Sequence, residues 1–130
     1  MTTSRALHID CEQHHAILSV HDVRAAADFY ATKLGFTVAF TEGDPPTFAG
    51  VNLGRVQIFL SQGTPSPGGC SVYFVINDAD ALHDFHRTNG VEILVPPNDR
   101  PYGLRDYTAV APDGYRLTFG HRLPGNADCD

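Results

Sequence analysis

The chain repeats itself. Asp22 matches Asp78 and Asp28-Phe29 matches Asp84-Phe85, an offset of 56 residues, and after the helices Gly35 matches Gly90 at an offset of 55. Such self-similarity makes each copy one supersecondary unit that buries its apolar face against a neighbour. In the first copy Ala16–Val20 reads as a strand, Asp22 as an N-cap, and Val23–Leu34 as a helix stopped by Gly35. Phe36–Phe40 is the next strand, and Phe48–Leu53 and Val56–Ser61 form a hairpin turning at Gly54. The second copy returns the pattern: strand Ser71–Ile76, N-cap Asp78, helix Ala79–Asn89 stopped by Gly90, and strand Val91–Val95. A loop over Pro96–Gly103, strand Arg105–Val110, a tight turn at Ala111–Gly114 and strand Tyr115–Phe119 complete it. The fold class is therefore α+β: two tandem βαβββ modules forming a cup-shaped mixed β-sheet with helices on the outer face. One domain spans 1–130, with module one at about 14–62, a Pro/Gly/Ser linker at 63–69, and module two at about 70–122. The linker is long and flexible enough for the modules to pair within a chain or be swapped between chains.

Composition removes several function classes. With 130 residues and 42% hydrophobic content the chain has enough core for a soluble domain. Nine basic against fifteen acidic residues, a net charge of −6, argue against nucleic acid or an anionic membrane as partner. No stretch approaches the ~18 apolar residues of a membrane span. Met1–Asp10 lacks the apolar run of a signal peptide. Cys11, Cys70 and Cys129 are odd in number and far apart, without a C-x-x-C pair, so free thiols in a cytoplasmic protein are expected. Cys70 has no base placed beside it and reads as an inert thiol.

Strand parity sorts the remaining candidates. Ala16, Leu18 and Val20 form the apolar set of the first strand, leaving His15, Ile17 and Ser19 on the open face. The same rule leaves Gln57, Phe59 and Ser61, then Ser71, Tyr73 and Val75, then Arg116 and Thr118. Aromatic, hydroxyl and amide groups together suit a concave small-molecule site. Phe40, Phe48, Phe59, Tyr73, Tyr102 and Tyr107 offer planes for a flat ligand, and Glu42, Asp44, Asp99 and Asp106 supply an acidic rim that favours a cation. The other histidines scatter. His83 and His86 share a helix face but have no third ligand, and read as surface residues; His21 and His121 read as rim residues, and His8 lies in a tail.

The run His15-Ala16-Ile17-Leu18-Ser19-Val20-His21-Asp22, continuing to Asp28-Phe29-Tyr30 and Leu34-Gly35-Phe36, resembles the vicinal oxygen chelate superfamily. That superfamily includes glyoxalase I, extradiol dioxygenases, fosfomycin-resistance enzymes and bleomycin-resistance binding proteins. The Pro112-Asp113-Gly114 turn looks like its second landmark. Phe48-Ala49-Gly50-Val51, Asp80-Ala81-Leu82-His83 and the Pro97–Gly103 loop look most like the bleomycin-resistance branch. The resemblance implies metal ligands at four positions, which here hold His15, Ser71, Phe59 and Thr118. A catalytic divalent ion needs about three protein ligands. One imidazole does not provide them, so no metal and no cofactor is expected.

The expected function is a metal-free binding protein that sequesters an aromatic or cationic compound, a bleomycin-like antibiotic among the candidates, in the cleft of a homodimer. The expected ligand-binding residues are His15, Gln57, Phe59, Ser71, Tyr73, Tyr102, Tyr107 and Thr118. The chain has no tryptophan, an aromatic on which drug-binding relatives often stack their ligand. A first alternative is a glyoxalase-like lyase or isomerase, or a dioxygenase-like enzyme, with His15 as its catalytic residue. A second is a dimerising or regulatory module without a ligand.

Overall fold

The computed structural model describes residues 7–125; Cys129 and the first six residues lie outside them. The duplication is carried into the topology. Strands β1 (Ile17–Val20), β2 (Thr37–Glu42), β3 (Phe48–Leu53) and β4 (Val56–Gln62) form one sheet in the order β1-β4-β3-β2. Strands β5 (Ser71–Val75), β6 (Ile93–Asp99), β7 (Leu104–Val110) and β8 (Arg116–Arg122) form a second in the order β5-β8-β7-β6. In each sheet the first strand pairs in parallel with the last, and the remaining pairs are antiparallel.

Each crossover from first to second strand carries a helix. Asp22 accepts from Ala25 N (3.1 Å) to open α1 (Val23–Phe29), and Asp78 accepts from Ala81 N (3.0 Å) to open α2 (Ala79–Thr88). The first helix widens into a π-helical turn over Tyr30–Leu34 before Gly35 (φ 86°) ends it. Val23, Ala26, Ala27, Tyr30 and Leu34 are buried along one stripe, against Leu18, Val20, Val51, Ile58 and Leu60 of the sheet. Fully burying an aliphatic side chain of this size is worth roughly 1.5–3 kcal/mol, so this layer dominates the stability of module one.

The modules share one core. Phe36 meets Phe74 edge-on with ring centroids 5.7 Å apart, and His86 Nε2 donates to the Leu34 carbonyl (2.9 Å). At the other end Tyr115 Oη donates to Ser19 O (2.6 Å), and His21 N donates to Asp113 (2.8 Å). The 63–69 segment, expected as a loose linker, is fastened at both ends. Gly63 N donates to Val20 O (3.0 Å), Ser66 N donates to the Tyr115 hydroxyl (3.0 Å), and Pro67–Gly69 form a 3-10 turn.

Two further expectations are corrected. Pro96 and Pro97 do not begin a loop: β6 runs through them to Asp99. An edge strand tolerates proline where the ladder is bulged, and the β6–β7 register shifts between Ile93 and Val95 and again between Val95 and Asn98. His86 is not on a solvated face. It is fully buried, with Nδ1 accepting from the Tyr107 hydroxyl (2.8 Å) while Nε2–H serves Leu34. Both ring nitrogens are satisfied, which makes a buried neutral imidazole affordable. Burial pulls its pKa down, against the weaker upward pull of the Leu34 carbonyl.

Candidate functional site

Opposite the helices, the two sheets present faces of different chemistry. In module one, Gly50 of β3 pairs with Phe59 of β4 on one side and Phe40 of β2 on the other. A Cβ at Gly50 would lie 2.3 Å from the Phe40 ring, so the missing side chain is what lets that ring lie flat across the strand. There Phe40 stands 6.0 Å from both Phe48 and Phe59, and Phe48 is 5.3 Å from Phe59. The His15 ring lies over Phe59 at 4.6 Å. These four side chains form a half-exposed aromatic floor. The His15 ring is held between two oxygens, with Nδ1 2.7 Å from the Gln57 carbonyl and Nε2 2.6 Å from Gln13 Oε1. Gln57 donates from its side chain to Asn52 (2.8 Å).

Module two answers with a polar floor. Tyr73 of β5 crosses β8 above Gly120, where an added Cβ would stand 2.5 Å from its hydroxyl. The phenol thereby reaches Asp106 of β7, donating to Oδ2 at 2.7 Å. Tyr102 donates to the same oxygen at 2.5 Å, and Arg100 Nε donates to Oδ1 at 2.7 Å. Burial would raise the Asp106 pKa, but donation from Tyr102, Arg100 and Tyr73 outweighs it and holds the carboxyl below its ordinary value. Burial and the Asp106 bond in turn push the Tyr73 phenol upward. Beside this network the Thr108 and Thr118 hydroxyls are 2.8 Å apart.

A cleft of about 510 Å³ brings His15, Gln57 and Tyr73 together, with Gln13, Val56 and Val75 also on its walls. Ser71 lines a separate cleft of about 400 Å³ with Cys70 and Arg116. Phe59, Tyr102 and Thr118 line neither, although Phe59 touches His15 through the aromatic floor. Tyr107 does not belong to an open face at all. It is fully buried on the helix side of β7, bonded to His86, because the strand's alternation turns Asp106 and Thr108 outward and Tyr107 and Ala109 inward. The acidic rim is also thinner than expected, since Asp106 is buried against Arg100 and Asp99 is paired with Arg105 at 3.0 Å. His121 accepts from Ala79 N (2.8 Å) at the start of α2.

Sequence reasoning missed Arg100, and it missed the role of Gly50 and Gly120 as troughs for large rings. Two aromatic residues in the same sheet as an in-strand glycine were the available signal. The metal positions implied by the resemblance hold one imidazole, two hydroxyls and a phenyl ring. Among the described residues no three His, Cys, Asp or Glu side chains are grouped to hold an ion. That donor set does not fit a catalytic divalent metal, because neutral hydroxyls and a phenyl ring cannot replace carboxylate and imidazole ligands.

The sequence profile of the Glyoxalase/Bleomycin resistance protein/Dioxygenase superfamily matches residues 12–119. Among solved structures, the bleomycin-binding protein of Streptomyces verticillus, complexed with copper(II)-bleomycin, is 25% identical with a TM-score of 0.69. The match covers 85% of this chain and 96% of that one. A glyoxalase/bleomycin resistance protein/dioxygenase from Nocardioides is 26% identical with a TM-score of 0.66, over 95% of this chain and 88% of its own. TioX from Micromonospora sp. ML1 shares the fold at 21% identity with a TM-score of 0.73, over 85% and 95% of the two chains. No curated protein sequence matches. With matching strand order in both modules and a profile match over most of its length, the chain belongs to the Glyoxalase/Bleomycin resistance protein/Dioxygenase superfamily.

Proposed function

We propose that this protein binds a flat aromatic compound bearing a cationic group and holds it without chemical change. The observation that carries the reading is the aromatic floor of Phe40, Phe48, Phe59 and His15, which stays half-exposed among the described residues. A planar ligand can offset-stack on these rings, which gives such a floor a preference for flat aromatic groups beyond the area they bury. His15, Gln57, Phe59 and Tyr73 are the proposed core of the site, with Ser71, Tyr102 and Thr118 at its margins. Likeness to a bleomycin-binding protein supports a bleomycin-like ligand as the first to test.

A homodimer is part of the proposal. Ile17, Tyr73 and Val75, on the edge strands β1 and β5, are 61%, 45% and 51% exposed, and this apolar surface suits a second copy. Cys11 and Cys70 are free thiols, which suits the reducing cytoplasm. Among the described residues no helix is long and apolar enough to cross a membrane.

Thermal unfolding with and without copper(II)-bleomycin tests the ligand. At one hundred times the dissociation constant the fold should gain about 2.7 kcal/mol. Phe59→Ala should abolish that gain. An unchanged melting temperature across bleomycins and planar aromatic amines refutes the reading, and turnover of a hemithioacetal or catechol abolished by His15→Ala would replace it with an enzyme.

A further inference from the structure

Asp106 divides its oxygens between two kinds of partner. Oδ2 is filled by the Tyr73 and Tyr102 hydroxyls, while among the described residues Oδ1 accepts from Arg100 Nε alone. Two phenols and a buried carboxylate make a cluster whose chemistry selects a cation: the charge is matched at Oδ1, and the phenol hydroxyls hold the other oxygen. The cation now in it belongs to the protein and comes from the turn between β6 and β7. Apart from the Nε bond, Arg100 is weakly held, its Nη2 lying 3.4 Å from Pro96 O and 3.3 Å from Asp106 O. The side chain keeps 23% of its surface in solvent, against 5% for Asp106. The backbone of the turn closes on itself without it, through Arg100 N to Leu104 O (2.8 Å) and Gly103 N to Arg100 O (3.1 Å). The guanidinium can therefore leave while the turn stays formed.

We propose that Arg100 is an internal stand-in for a ligand cation, and that Asp106, Tyr73 and Tyr102 form a site for a guanidinium, amidinium or primary ammonium group that opens when Arg100 swings out. This rests on the reading of the open faces as ligand surface and names the chemistry of their polar half. A guanidinium is weakly hydrated for a cation, and its exchange for a similar ligand group leaves the number of charge-assisted bonds to Asp106 unchanged. Tyr73 is kept in place by the trough at Gly120, so one wall of the site persists when Arg100 leaves. The self-occupied state sets a threshold: a ligand must outcompete a side chain that is always present.

The probe is benzamidine, a planar amidinium, with neutral benzamide as its control. Calorimetric titration should show Arg100→Ala binding benzamidine about tenfold or more tightly than the unmodified protein, the scale of one charge-assisted bond released from competition. Benzamide should bind neither, and adding Asp106→Asn to Arg100→Ala should remove benzamidine binding. The proposal is overturned if Arg100→Ala binds benzamidine no more tightly than the unmodified protein, absence of binding to both included, or if benzamide binds equally well. Should circular dichroism show that Arg100→Ala does not fold, Arg100→Gln removes the charge with less loss of shape and is judged by the same ratio. Neither substitution touches the aromatic floor. Copper(II)-bleomycin binding by the unmodified protein therefore reports on the function proposed above, and the benzamidine ratio on this inference alone.

Discussion

Replacing Gly50 with alanine tests whether the aromatic floor is built as described. The new Cβ would stand 2.3, 2.9 and 2.9 Å from three atoms of the Phe40 ring, well inside van der Waals contact, and its three nearest neighbours all belong to that ring. Phe40 must leave its place, losing its contacts with Phe48 and Phe59. Overpacking of this kind costs about 1–3 kcal/mol, and two aromatic pairs at ~0.5–1.5 kcal/mol each give a similar figure by a separate route. Alanine returns about 0.5–1 kcal/mol by restricting the unfolded chain. The expected net loss is about 1–2 kcal/mol. Urea unfolding followed by far-ultraviolet circular dichroism reads it as a lower midpoint at unchanged slope. The decisive comparison is the same substitution in a Phe40→Ala background. With the ring gone, Gly50→Ala should become neutral or stabilising, giving a coupling of about 2 kcal/mol. A cost that is equal in both backgrounds would show that Gly50 serves the backbone of β3, and the account of the floor would fail.

His86 predicts a pH dependence. Its folded pKa lies below the unfolded value of about 6.5, so the stability it confers is complete above that pH and is lost as pH falls toward the folded value. Between pH 7 and 5 the unmodified protein should lose more stability than His86→Leu, measured by urea midpoints. At pH 8 that variant should be about 2–4 kcal/mol weaker, because Leu34 O and the Tyr107 hydroxyl both lose their partner. Tyr30 is fully buried with a hydroxyl that has no hydrogen-bond partner among the described residues, and Tyr30→Phe should raise the melting temperature; a drop would mean the hydroxyl is satisfied. Asp106→Asn should cost about 1–3 kcal/mol near neutral pH, read as a lower urea midpoint, and an unchanged midpoint would show that the Asp106 bonds add nothing to stability.

Much of the fold is local and therefore legible in the chain. The N-caps Asp22 and Asp78, the stops at Gly35 and Gly90, the hairpin at Gly54 and the inward sets of β1, β5 and β8 depend on neighbours in sequence, and the structure reproduces them; in β4 Ile58 and Leu60 point inward while Val56, at the strand end, is exposed. Where the reading failed, a distant partner decided the outcome. His86 reads as a surface residue because no third ligand lies near it in sequence; the partners that bury it lie 52 and 21 residues away. Tyr107 reads as a ligand plane by residue type, yet alternation within β7 and the depth of the core beneath α2 bury it. Asp106 reads as a rim charge in sequence, yet four polar contacts from Arg100, Tyr102 and Tyr73 converge on it from a turn and another strand and bury it.

The duplicated sequence by itself determined a pair of βαβββ units, each with one face buried, because periodicity and caps act over a few residues. It also determined that the four positions matched to metal ligands hold only one imidazole, which is a matter of residue identity. Only the tertiary structure decided what the uncovered faces are made of. Two glycines, one in each sheet, give a neighbouring ring room to lie across a strand, and the result is an aromatic floor in one module and a carboxylate–phenol–guanidinium network in the other. Local pattern cannot show this, since a ring's resting place is set by the space left by a residue on another strand.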